Sequence, residues 1–148
     1  MSWREDAQLR LDATTSVAPT RALLLVRRVA DEIRAPAASF SLGRFEVGAG
    51  QRVVVEEGDD SRLSLAITNM KVARFCTFSA EARAVDGRTV LHVGPLESFK
   101  TSQGSFFFIP TGPKLLVGFQ LYKQFLEAIA AELRALDGAC QVTIGRAS

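Results

Sequence analysis

Apolar and polar residues alternate in two rhythms along this chain. Residues 8–17, QLRLDATTSV, alternate with period two, as a strand with one buried face does. APTRALLLVRRVADEIRAP then changes to helical spacing, with Ala22, Val26, Val29 and Ile33 on one face and Arg21, Arg28 and Glu32 opposite. Pro19 suits a first helical position, where its missing N–H leaves nothing unsatisfied, and Pro36 marks the helix end. From Phe40 the period returns to two. FSLGRFEVGAG and QRVVVEEG read as strands joined near Gly48–Gly50, and EEGDDSR as an acidic turn. RLSLAITN puts Leu63, Leu65 and Ile67 on one face, with Ser64 and Thr68 on the other. VARFCTFSAEARAV and RTVLHVGPLESFK flank Asp86–Gly87, and SQGS makes a further turn before FFFIP. The count is about seven strands joined by tight turns, an antiparallel meander. A long helix follows, its apolar face built from Phe119, Tyr122, Phe125, Leu126, Ile129, Leu133 and Leu136, with Gly138 just past its end. CQVTIG beyond it reads either as a short strand or as a loose tail.

The Asp-Gly corner predicts a register. A two-residue loop pairs Val85 with Arg88, and counting outward pairs Ala84 with Thr89, Arg83 with Val90, Ala82 with Leu91, Glu81 with His92 and Ala80 with Val93. Facing residues share a face, so Phe78, Ala80, Ala82, Leu91 and Val93 form an apolar surface that the long helix must cover. His92 then points outward, in a solvated pair with Glu81. The same count about Gln103–Gly104 pairs Thr101 with Phe106, Lys100 with Phe107 and Phe99 with Phe108. It places Phe99, Phe106 and Phe108 on the inner surface and Phe107 outside. Glu97 shares the inner parity of Phe99 unless Gly94-Pro95 introduces a bulge, and a bulge is the less costly arrangement because an inward carboxylate needs a partner.

Length and composition fit one domain over residues 1–148 with a core of its own: 47% of residues are apolar and 23% charged. Net charge is only +2, and the basic residues are scattered, which argues against nucleic acid as a partner. Arg greatly outnumbers Lys and Ala is abundant, a bias of GC-rich, bacterial coding. The two cysteines, Cys76 and Cys140, lack metal-site or disulfide-framework spacing and read as buried thiols. No aliphatic run approaches a membrane span, and MSWREDAQLRLD has no apolar signal core, so the expected location is the cytoplasm. No motif for a cofactor is evident: GAG at 48–50 sits between strands rather than before a helix. A single histidine works against zinc sites and a Ser-His-Asp triad, and EEGDD lacks the spacing of a calcium loop.

The order of elements carries a resemblance. LRLDATTSVAPTRALLLVRRVADE looks like the first strand running into the first helix of the START/Bet v 1-like superfamily (SRPBCC, polyketide cyclase-like), and FFFIPTGPKLLVGFQLYKQFLEAIAAELRAL like its last strand, proline turn and long helix. The match covers residues 8–137 and is one of pattern. It implies an α+β helix-grip fold, in which a strongly curved antiparallel sheet of about seven strands wraps around the C-terminal helix, with one or two short helices after the first strand. The family has two helices there, and this chain shows one clear one. The family also usually ends in the long helix, whereas ACQVTIGRAS follows here.

The resemblance implies an apolar cavity for a lipid-like or otherwise apolar or amphipathic small molecule between the sheet and residues 119–136. The inner-face positions that would line it are Leu65, Ile67, Phe78, Leu91, Val93, Glu97, Phe99, Phe106, Phe108, Tyr122 and Phe125. The same pattern fits a solid core, with Phe107 in a homodimer or partner surface. A cyclase or dehydratase using Tyr122, Glu97 or an isolated Arg as acid or base is a third reading.

Overall fold

The computed structural model describes residues 3–33, 51–69, 74–106 and 109–146. Along the chain run α1 (Trp3–Asp6), β1 (Leu9–Thr15), α2 (Pro19–Glu32), β2 (Arg52–Gly58), β3 (Arg62–Thr68), β4 (Arg74–Val85), β5 (Arg88–Val93), β6 (Ser98–Phe99), β7 (Thr101–Phe106), β8 (Ile109–Leu116), α3 (Phe119–Leu136) and β9 (Gln141–Arg146). The strand expected over residues 40–50 lies outside the described residues. Strand pairing is antiparallel throughout. One seven-stranded sheet has the order β2-β3-β4-β5-β1-β9, with β6 beside the first half of β4; β7 and β8 form a separate ribbon. The fold is thus α+β, with a mostly antiparallel sheet and a long helix near its C-terminal end.

Local chemistry explains the best-defined corner. Asp86 and Gly87 both have positive φ, 51° and 78°, as a two-residue hairpin loop of matching twist requires. The pairs run from Val85↔Arg88 to Ala80↔Val93, the register that the turn dictates. The acidic turn before β3 is held by Asp59. One oxygen of its carboxylate accepts from Ser61 N–H, Ser61 Oγ and Arg62 N–H, and the two backbone bonds lower its pKa most.

The second predicted hairpin is displaced. β7 runs through Gln103–Gly104 without turning, and Phe106 pairs with Ile109, Ser105 with Pro110 and Gly104 with Thr111. The register slips by two residues between Ser102 and Gly104, so Gly104 marks an irregularity inside a strand and not its end. Pro110 and Pro113 fall within β8, whose only partner among the described residues is β7. A proline cannot donate to a ladder and is tolerated where one side is unpaired.

Both long helices lie on one face of the sheet. α2 starts with Pro19 in its first turn and buries Ala22, Leu23, Leu25, Val26, Val29 and Ala30, while Leu24 faces out. α3 buries Leu121, Tyr122, Phe125, Leu126, Ile129, Ala130 and Leu133; Leu136, expected on that face, is exposed in the last turn. Leu11, Leu63, Leu65, Ile67, Phe78, Leu91 and Val93 from the sheet complete one continuous apolar cluster. Each such large side chain contributes roughly 1.5–3 kcal/mol on burial. The opposite face of the sheet is polar, with Arg62 bridging Glu81 and Glu97, and Asp12 holding Arg10 and His92.

The chain beyond α3 forms a true strand. β9 zips onto β1 from Leu9↔Arg146 to Thr14↔Gln141, putting Val142 and Ile144 opposite Ala13 and Leu11. Asp137 fastens the junction, accepting from Thr15 Oγ1, Ser16 N–H and Ala139 N–H.

Candidate functional site

The inner surface of the sheet was the expected site, and its residues divide into two groups. Leu65, Ile67, Phe78, Leu91, Val93, Tyr122 and Phe125 all belong to the core cluster, each at most 1% exposed. They touch one another. The Phe78 ring meets Tyr122 edge-on at 4.9 Å and Phe125 at 5.6 Å. The Tyr122 hydroxyl donates to the backbone carbonyl oxygen of Leu9 at 2.6 Å. Burial raises the Tyr122 phenol well above its ordinary pKa, with Cys76 adding a smaller push in the same direction. A phenol held this way is a structural donor, not an acid or base facing a substrate.

Glu97 and Phe99 are corrections. Glu97 is exposed, and its carboxylate stands 3.4 Å from Arg62 Nη2 on the polar side of the sheet. Phe99 is 37% exposed, with its ring centroid 5.4 Å from that of Trp3. The inward parity of Glu97 holds only without a bulge at Gly94-Pro95, and that of Phe99 comes from the count about Gln103–Gly104. The chain leaves the ladder at Gly94, whose φ is +83°. It is re-hung on new acceptors, with Leu96 N–H on Ala7 and Glu97 N–H on Thr77, and Leu96 turns inward. That break resets the parity of everything after it. Phe106 is placed only by its backbone pairing with Ile109, which replaces the expected pairing with Thr101. Phe107 and Phe108 lie outside the described residues.

His92 faces outward, as the hairpin register requires, but its hydrogen-bond partner is Asp12 on β1. Glu81, the expected partner, is taken by Arg62. The hairpin alone could not show this, because β1 reaches β5 from far away in sequence.

An open space lies elsewhere, at the β2 end of the sheet. It is a cleft of about 370 Å³ between α2 and β2, lined by Arg27, Ala30 and Asp31 from the helix and Arg52, Val53, Val54 and Val55 from the strand. Its volume sits at the lower end of small-molecule pockets, roughly 300–1,000 Å³. Val53 and Val55 pair across strands with Ile67 and Leu65, so the apolar floor continues into the core. Ala30 and Asp31 follow Arg27 at three and four residues, the spacing that puts helical side chains on one face. Gly58, at the end of β2, leaves room for Arg27: a Cβ there would sit 2.5 Å from Arg27 Nη2 and collide with Leu63 Cδ2. The sequence offered two signals for this cleft, the helical spacing of Arg27, Ala30 and Asp31 and the glycine closing a valine-rich strand. Neither reveals that α2 and β2 are neighbours.

Among the described residues, no three His, Cys, Asp or Glu side chains converge as a metal site, and no helix is long and apolar enough to cross a membrane. No family model matches the chain, and no curated protein matches it either.

Proposed function

We propose that this chain is a binding protein for a small amphipathic molecule, a START/Bet v 1-like domain of helix-grip type carrying one extra strand, β9, after its long helix. The observation that carries the reading is the cleft between α2 and β2, whose valine floor runs into the core and whose rim is charged. A ligand there lays its apolar part on Val55, which is half-buried, and keeps its polar part at the mouth. We place the site on the flank of α2 and not beneath α3, where the Phe78 ring packs against Tyr122 and Phe125. The test is titration with 1-anilinonaphthalene-8-sulfonate, alongside native mass spectrometry of the purified protein. Saturable one-to-one binding, lost in Val55→Glu with the fold intact by circular dichroism, is expected. Absence of both saturable binding and a co-purifying mass sinks the reading.

A second reading is favoured by the ribbon of β7 and β8. Ile109 and Leu115 on it are 65% and 54% exposed, and a two-stranded ribbon alone is marginal in water. A partner protein or second copy docked there would cover both. A monomer in light scattering, unchanged by Ile109→Ser and Leu115→Ser, removes that reading.

A further inference from the structure

Among the described residues, two arginines are half-buried, Arg10 and Arg27. Arg10 gives its Nε–H to Asp12 at 3.0 Å. Arg27 has neither an acceptor nor an ion-pair partner among the described residues, although its neighbour Arg28 reaches Glu132 at 2.8 Å. Arginines such as Arg21, Arg83, Arg88 and Arg134 also lack partners among the described residues, but they are exposed and water serves them. A guanidinium partly withdrawn from water without an acceptor is unfavourable. It is held in that position, since the space left by Gly58 lets it lie against β2. Its five N–H donors in a planar fork suit an oxyanion.

The geometry points to a monoanionic amphiphile, with a carboxylate or sulfonate head, as the occupant of the α2–β2 cleft; this rests on the binding reading above. Arg27 takes the head group in charge-assisted hydrogen bonds, and the apolar tail lies on Val55, a half-buried valine of the lining. The charge balance of the lining selects the class. Among the described residues of the lining, Arg27 and Arg52 bring two positive charges and Asp31 one negative, an excess of one. A single anionic head neutralises that excess, whereas a dianionic phosphate overshoots it next to Asp31. Arg27 is the anchor rather than Arg52 because Arg52 is exposed and already solvated.

The experiment is isothermal titration of the full chain with decanoate and with 1-decanol, which share a tail and differ in the head. Decanoate is expected to bind about tenfold or more tightly than 1-decanol, the ratio that a charge-assisted pair supplies. Arg27→Met keeps an unbranched stem over β2. It is expected to bring decanoate to the 1-decanol level and leave 1-decanol unchanged. Equal affinity of the two probes for the wild-type chain overturns the inference while leaving the cleft as a binding site, and it needs no variant to fold. A decanoate preference that survives Arg27→Met overturns it as well. If neither probe binds, the cleft reading and the inference fall together.

Discussion

Tyr122 in the first turn of α3 gives its hydroxyl proton to the carbonyl of Leu9 at the start of β1, 113 residues away in sequence. The bond ties the long helix to β1, one strand in from the β9 edge of the sheet, and Gly94 is shaped around it. A Cβ at Gly94 would collide with the Tyr122 hydroxyl, and its φ of +83° strains any residue but glycine. Tyr122→Phe is expected to cost about 1–2 kcal/mol in urea unfolding, with the slope m unchanged. Gly94→Ala costs more, because strain and collision combine. The double variant costs less than the sum, since removing the hydroxyl relieves the collision and leaves only the strain. Strict additivity would show that the hydroxyl and Gly94 are not in contact.

Asp137 gives the fold a response to acid. Its hydrogen bonds from Ser16 N–H and Thr15 Oγ1 lower its pKa from 3.8 to about 2. A carboxyl depressed in the folded state adds stability that is complete above its unfolded pKa near 3.8 and is lost as pH falls towards 2. The melting temperature of Asp137→Asn should therefore lie below that of the wild type at pH 6, and the gap should narrow between pH 4 and pH 2. A gap constant over that window would show that the ionised carboxylate does not contribute.

The two cysteines should differ sharply towards alkylating agents. Cys76 is 1% exposed, and burial pushes its thiol up to about 12, so almost no thiolate exists at pH 8. Cys140 is half-buried next to β9. Iodoacetamide at pH 8 is expected to add one group to the native chain, at Cys140, and a second only in denaturant. Rapid native labelling of Cys76 would mean that the cluster around Ile67 and Gly118 opens far more easily than its packing implies.

How much was legible depends on where each constraint originates. The β4–β5 register could be read from two residues, because Asp86 and Gly87 fix the turn and the turn fixes every pair after it. The buried faces of α2 and α3 were legible for the same local reason, with spacing revealing the face. Gly104 misled because a glycine in a polar stretch signals both a turn and a strand irregularity, and only the partner strand decides between them. The break at Gly94-Pro95 that the sequence favoured is present and leaves Glu97 outside, whereas Phe99 was misplaced because the turn at Gln103–Gly104 from which it was counted does not form. The partner of His92 and the cleft were hidden for another reason. Both are made by elements that meet only in three dimensions, β1 with β5 and α2 with β2.

The placement of β1 has a consequence for how the molecule is assembled. Its neighbours are β5 and β9, so residues 9–15 are flanked by partners from residues 88–93 and 141–146. During synthesis β1 therefore emerges before both of its partners and waits for residues 88–93 and 141–146. Its second seam closes only after α3 has left the ribosome. Until then one border of the growing sheet stays raw, and a chaperone has a natural place to hold it.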